Sequence, residues 1–302
     1  MSVLSVNTNG AALNALQNLN RTTSDLNETQ LRINTGLQVK TAKDNAAVFA
    51  IAQNLRADRR GLDAVKNSLD RARSVLDITT AAAESIQDVL IQIKEKVVAA
   101  SDKGLDQRSR DALKQDFERL REQVTLIGGN ATFNGTNLID GPTDAANGKP
   151  AFLTALVSPD ATRQISVTRI DLSLAPSGTV FDDPVAQADG SYTGEFVQLA
   201  VDSTFTDAAS AEALIPLVDS SIRNLSQALT VFGAAQNSAE QQRAFIDKLA
   251  DTVETGIGNL VDADIARESA RLQSLQVKQQ LSTQALSIAN RQPQSILSLF
   301  QG

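Results

Sequence analysis

Residues 272–290 read LQSLQVKQQLSTQALSIAN. Successive side chains point about 100° apart around a helix. Leu272, Leu275, Gln279 and Leu286 therefore gather on one side, and Val277, Leu281, Ala285 and Ile288 on nearly the opposite side. No residue from Gln279 to Asn290 is charged. A helix packed on one partner needs a single apolar stripe. Two stripes predict two partners, and only one of them has to belong to the same chain.

The flanking sequence supports long helices. Six of the seven prolines lie between Pro142 and Pro216, and the seventh is Pro293. Proline in a helix interior costs about 3 kcal/mol, so the proline-free stretches 1–141 and 217–292 are free to be helical. Val48, Leu55, Leu62, Leu69, Leu76, Ala83, Leu90 and Val97 recur every seventh residue. Three places after each stand Ile51, Asp58, Val65, Ala72, Thr79, Ile86, Ile93 and Ala100, a sustained heptad. SDKGLD (101–106) ends that helix, with Gly104 as the expected C-cap. Leu113, Phe117, Leu120, Val124 and Ile127 mark a shorter helix, and a third long one runs from Val218 through Leu225, Phe232, Ile246, Val253 and Leu260. At the N-terminus Ala12, Leu16, Leu19, Thr23, Leu26, Gln30 and Ile33 form the stripe. Neither flank buries its stripe alone, so the two are expected to pack on each other.

The centre has another character. AFLTALVSPDATRQISVTRIDLS (151–173) holds two β-rich runs around SPDAT and reads as a hairpin, and 190–205 is expected to add a further strand or two. The fold class is thus mainly α: a long antiparallel helical coiled-coil bundle from both chain ends, with a small hairpin-containing insert.

Composition narrows the chemistry. The chain of 302 residues carries a net charge of −7 and has no His, no Cys and no Trp. It lacks the commonest general base, any thiol nucleophile and any thiolate metal ligand. The acidic balance gives no nucleic-acid footprint. No apolar run approaches the ~18 residues of a membrane span, and residues 1–20 carry no Lys or Arg for a signal-peptide n-region. Asp262-Ala-Asp264 reads as a helix N-cap, because a calcium loop would also need its glycine and distal Glu. Asn130-Ala-Thr and Asn134-Gly-Thr fit the glycosylation pattern, but Asn134-Gly135 reads better as a tight turn. No catalytic, cofactor-binding or metal site is expected, and no enzyme activity.

Three segments resemble bacterial flagellin, in the alphaproteobacterial style. RINTGLQVKTAKDNAAVFAIAQNL (32–55) is similar to the family's N-terminal signature, NATFNGTNLIDG (130–141) to the end of its N-terminal helical region, and residues 261–300 to its C-terminal signature. The resemblance covers about residues 1–141 and 208–302. It implies a structural subunit that polymerises into the flagellar filament for swimming. On that pattern residues 1–42 with 262–302 form a terminal coiled coil lining the filament's inner tube, and 43–141 with 208–261 an outer helical domain. Residues 142–207 then form a minimal β-rich insert.

The resemblance also assigns partners. Leu272, Leu275 and Leu286 are expected to face Leu16, Leu19, Leu26 and Ile33 of the same chain, and Val277, Leu281 and Ile288 to face neighbouring copies, unless the two stripes are exchanged. Sister flagellins, an export chaperone and the export apparatus, and the hook–filament junction and cap proteins are the implied partners, with neither nucleic acid nor membrane. Secretion without a cleaved signal peptide is implied, to an extracellular filament. Ser191, Thr193, Ser203 and Thr204 are expected sites of O-glycosylation. QIKEKV (92–97) departs from the Arg-Val-Arg-Glu-Leu-Ala pattern that the animal flagellin receptor reads in enteric flagellins, which implies weak recognition. A hook–filament junction protein and a flagellin-like surface adhesin are the alternative readings.

Overall fold

The computed structural model describes residues 9–141, 152–179, 181–188 and 191–300, with the side chains of 292–300 left aside. The start of the expected 142–207 insert lies outside the described residues. The elements in chain order are α1 (Gly10–Thr35), α2 (Ala46–Ala100), α3 (Gln107–Asn130), β1 (Phe152–Leu156), β2 (Gln164–Thr168), β3 (Val185–Ala186), β4 (Tyr192–Thr193), α4 (Ala208–Val261) and α5 (Ile265–Phe300). The fold is mainly helical with small antiparallel hairpins, as the periodicity predicts. Two compact units divide it, residues 1–59 with 251–302 and residues 60–250.

Each of the five described helices starts on Asn or Asp. Asn9 Oδ1 accepts from Ala12 N at 3.0 Å, Asn45 Oδ1 from Val48 N at 3.1 Å, and Asp106 Oδ2 from Ser109 N at 3.4 Å. Asp207 Oδ1 accepts from Ser210 N at 2.7 Å while Asp207 N donates back to Ser210 Oγ at 3.1 Å, a reciprocal cap. Asp264 Oδ1 accepts from Arg267 N at 3.1 Å, the N-cap that the sequence indicated. These short acceptors satisfy donors that have no partner within the helix.

In the unit of residues 60–250 the heptad of α2 is the spine of the core. Leu62, Val65, Leu69, Ala72, Leu76, Thr79, Ala83, Ile86, Leu90, Ile93, Val97 and Ala100 are all buried. Phe117 of α3 and Val218, Leu225 and Phe232 of α4 are buried with the lower part of this row. Phe117 meets Phe205 edge-on with ring centroids 5.4 Å apart. Polar pairs run beside the core at constant antiparallel spacing: Lys66–Asp247 at 2.6 Å, Asp70–Arg243, Arg73–Glu240 at 3.0 Å, Asp77–Gln236, Gln87–Ser226 at 3.2 Å and Lys94–Asp219 at 2.7 Å. Each is partly exposed, so each adds little stability. Together they mark the register of α2 against α4.

β1 pairs with β2, Phe152 opposite Thr168 and Leu156 opposite Gln164. The hairpin lies on α2. Leu156 N donates to Ser68 Oγ at 3.1 Å, and Pro159 sits so close to Gly61 that a Cβ there would lie 2.7 Å from Pro159 Cβ. At the root of this hairpin Arg169 is buried and donates to the carbonyls of Asn137, Asp140 and Gly141. Burial pushes its pKa below the ordinary value, with Asp171 and Asp140 opposing. Asn134 and Gly135 both have positive φ, and Phe133 and Thr136 exchange two backbone hydrogen bonds of 2.9 Å, the tight turn expected there.

Four local expectations change. α4 begins at Ala208 and carries Pro216 inside it, because Ala211, Leu214 and Val218 anchor its first turns in the core. Gly104 does not cap α2. Its N–H donates to Asp102 Oδ1 at 2.8 Å, so an aspartate-closed turn ends the helix. In the unit of residues 1–59 with 251–302, Ile51 and Asp58 of the expected row are exposed, and Ala52 takes the buried place. Val261, not Leu260, closes the last turn of α4.

Two measurements check this packing. Gly61→Ala forces two Cβ atoms together and should lower stability by about 1–3 kcal/mol. Calorimetry of a double-mutant cycle with Pro159→Gly should recover most of that loss, and strict additivity would refute the contact. The hydrogen bond from Lys66, helped by the charges of Lys66 and Arg243 against a desolvation effect, holds the Asp247 carboxyl below the usual range. A carboxylate with a depressed folded-state pKa stabilises above its unfolded value and loses that contribution as pH falls through the folded one. Asp247→Asn should therefore lower Tm at neutral pH, and its gap from the parent should close as the pH falls below about 4.

Candidate assembly surface

α1 and α5 run antiparallel in the unit of residues 1–59 with 251–302. Three contacts set their register. Asn9 Nδ2 donates to the carbonyl of Ala289 at 2.7 Å, Arg32 Nη1 reaches Glu268 Oε1 at 3.3 Å, and Ala263 N donates to the carbonyl of Gly36 at 2.8 Å. Gly36 has φ +71° and ends α1 by donating to Arg32 O at 2.8 Å. Gln38 N and Val39 N then both donate to Val261 O, which clips the exit of α1 to the link between α4 and α5. Val39, Ala52, Ile257 and Val261 form a small core beside the clip.

On α1 the inward row is Ala12, Ala15, Leu19, Thr22, Leu26, Thr29 and Ile33, all buried or half-buried. On α5 it is Glu268, Leu272, Leu275, Gln279, Ser282, Leu286 and Ala289. Both rows step by alternating threes and fours, the spacing of a coiled-coil seam. The register brings Leu26 level with Leu275, each among the most buried side chains of its helix. Small residues occupy much of the rest, so the helices approach closely without burying much apolar volume.

The second stripe of α5 is open. Leu275 is 5% exposed, whereas Val277 is 56%, Leu281 57% and Ile288 71% exposed. At 100° per residue the three exposed side chains fall within an arc of about 40°, on the far side of the helix from the seam. On α1 Leu16 also lies outside, 43% exposed, together with Leu13 and Leu31. Leu16 was expected to meet α5. The seam uses Ala15 instead, because the row of Ala15, Thr22 and Thr29 rather than Leu16, Thr23 and Gln30 turns inward. The first charged residue of the chain is Arg21, so the outer faces of both helices are uncharged over the same stretch.

Sequence reasoning missed the polar member of the seam. Glu268 is buried at 8% exposure, Arg32 is partly buried, and Arg32 also pairs with Glu28 one turn back. The clue was present in RIN and ARES, a basic residue beside the inward row of one helix and an acidic residue on that of the other.

The hydroxyls named for glycosylation differ in setting. Thr193 and Thr204 are exposed, with Thr193 Oγ1 accepting from Gln187 Nε2 at 2.8 Å and Thr204 Oγ1 donating to Glu118 Oε1 at 3.1 Å. Ser191 and Ser203 are half-buried, and Ser203 Oγ accepts from Ala200 N at 2.9 Å. Among the described residues no group of acidic side chains is placed to hold a metal, and no helix is long and apolar enough to cross a membrane.

Known proteins share this plan. The model of the bacterial flagellin N-terminal helical region matches residues 6–144, and that of the C-terminal helical region matches residues 215–300. The chain is 42% identical to flagellin FljM of Caulobacter vibrioides, over all of both chains. It is 32% identical to the flagellin of Brucella melitensis, over 99% of each. A putative flagellar hook-associated protein from Vibrio parahaemolyticus shares the fold, with a TM-score of 0.50 at 12% identity over 72% of this chain and all of that one.

The two stripes should respond differently to truncation. Leu275→Ala removes a buried side chain and should destabilise the α1–α5 pair by about 2–5 kcal/mol. Amide hydrogen exchange in α1 of the monomer should accelerate accordingly. Val277→Ala should leave α1 exchange unchanged, and acceleration by both variants would place Val277 in the seam.

Proposed function

Because the chain belongs to the bacterial flagellin family, structural subunits that polymerise into the extracellular flagellar filament, we propose that the outer stripe of α5 is where one copy grips the next. One observation carries the reading. Val277, Leu281 and Ile288 stand more than half exposed on a helix that carries no charge from Gln279 to Asn290, while the stripe behind them is already occupied. Fully burying a side chain of this size is worth about 1.5–3 kcal/mol. A homopolymer repeats the gain at every subunit. An uncharged surface suits that repetition, because a charge carried there would recur at each step along the filament.

The α1–α5 pair would then line the inner tube, as residues 1–42 with 262–302. Residues 43–141 with 208–261 would form the outer helical domain, and 142–207 a minimal β-rich insert. Export would proceed without a cleaved signal peptide, through the flagellar export apparatus, and α5, with its open apolar stripe, is the segment an export chaperone would shield. Hook–filament junction and cap proteins would meet the same terminal helices, and sister flagellins would share the lattice. Thr193 and Thr204 are exposed and are the better placed glycan acceptors of the four. A hook-associated role fits the shared fold. Flagellin identity along the whole chain favours the filament.

Leu281→Asp tests the assignment. It places a carboxylate in the apolar contact, at a cost of several kcal/mol unless the group protonates. We expect unchanged melting of the monomer and no growth on filament seeds, followed by light scattering. Leu225→Asp, in the core of residues 60–250, should lower melting as well. Normal growth of Leu281→Asp would remove the outer stripe from assembly.

A further inference from the structure

α5 presents α1 with two nearly equivalent apolar faces. Leu272, Leu275 and Leu286 lie on one, and Val277, Leu281 and Ile288 on the other. The second row also has seam spacing, since Ala270, Ser274, Val277, Leu281, Gln284 and Ile288 step by alternating fours and threes. In apolar content the two trios differ by a single methylene. Hydrophobicity therefore does not decide which stripe turns toward α1 and which is left outside. The backbone clip of Gly36–Val39 on Val261–Ala263 sets the level at which α5 starts. It lies before the helix and grips none of its faces.

We propose that the ion pair of Arg32 with Glu268 makes that choice, so that Glu268 is the specificity-determining residue of the terminal helix pair. Glu268 is the one charged residue of the inward row on α5, and its carboxylate is buried. Arg32 stands beside the inward row on α1 and reaches it at 3.3 Å. A half-turn of α5 about its axis would exchange the stripes and carry Glu268 away from Arg32. Arg32 would keep Glu28, so the penalty of the wrong face falls on the interhelical bond alone. A polar group at a seam position specifies alignment in this way, at some cost in stability.

The inference rests on the assembly reading only for its consequence in the filament, and a single-chain test separates the two. The chain has no cysteine, so introduced pairs are free of background. Two pairs report the two faces: Leu26→Cys with Leu275→Cys, and Leu26→Cys with Val277→Cys. Mild oxidation of the dilute full chain, read by mobility on non-reducing gels, should favour the first pair by at least about tenfold, since a disulfide needs its Cβ atoms turned together. The double substitution Arg32→Leu with Glu268→Leu keeps the seam apolar, so the helices should still pair, yet the preference should fall severalfold. Glu268→Gln retains an acceptor for Arg32 and should keep most of it. An unchanged preference in the double-leucine chain would overturn the proposal. So would the loss of both cross-links, because the pair would then hold the helices together rather than select a face. Seeded growth of Leu281→Asp bears on the assembly reading alone and leaves this outcome untouched.

Discussion

The antiparallel closure of the first helix onto the last is the constraint on which the unit of residues 1–59 with 251–302 depends. α1 and α5 are far apart in sequence, and each is too thinly apolar to persist alone in water. Their seam holds Leu19, Leu26 and Ile33 on one helix and Leu272, Leu275 and Leu286 on the other, spaced by small residues, and one ion pair. That is enough to align the helices and too little to use up their apolar surface. What remains outside is the surface proposed to meet a neighbouring copy. A richer seam would have given a more stable chain with less left to offer.

The unit of residues 60–250 solves a different problem. Its core is deep, with four fully buried phenylalanines and a row of aliphatic side chains along α2 interrupted only by Thr79. The hairpin β1–β2 is tied to α2 at Gly61 and Ser68, and Arg169 ties its root to three carbonyls. Beyond the buried Arg110 and Arg169, the ion pairs of α2 with α4 lie at the margin, where they cost little and fix alignment. The same amino-acid types thus serve as filling in one unit and as an alignment mark in the other, according to how much apolar surface surrounds them.

The helices were legible because heptad spacing depends only on neighbours in sequence. Leu62 to Val97 could be read inward from their period alone, and the two stripes of α5 likewise. What was not legible came from competition between nearly equal choices. Leu16 and Ala15 both continue a seam with Ala12 and Leu19, and only the partner helix decides between them. Ile51 looked like core by type, but Ala52 lies inward because the buried side of α2 is reached one residue later there than the heptad further along implies. Pro216 argued for a later start to α4, yet local preference yielded to the burial of Leu214 and Val218. Glu268 was hidden because a charged residue within an amphipathic pattern reads as surface until its counter-ion is seen.

The rungs between Lys66 and Lys94 on α2 meet those between Asp219 and Asp247 on α4 at a constant offset. Such a ladder behaves like the teeth of a zip. Gaining or losing one residue within either helix would displace every rung on one side of the change and turn the buried row to solvent. The segment between β2 and α4 carries no such rhythm, and residues added there would shift no rung. Variation in length among related chains is therefore expected to gather in that segment, while the helices keep their residue count. The geometry of two side-chain rows would set the rule for where this protein is free to grow.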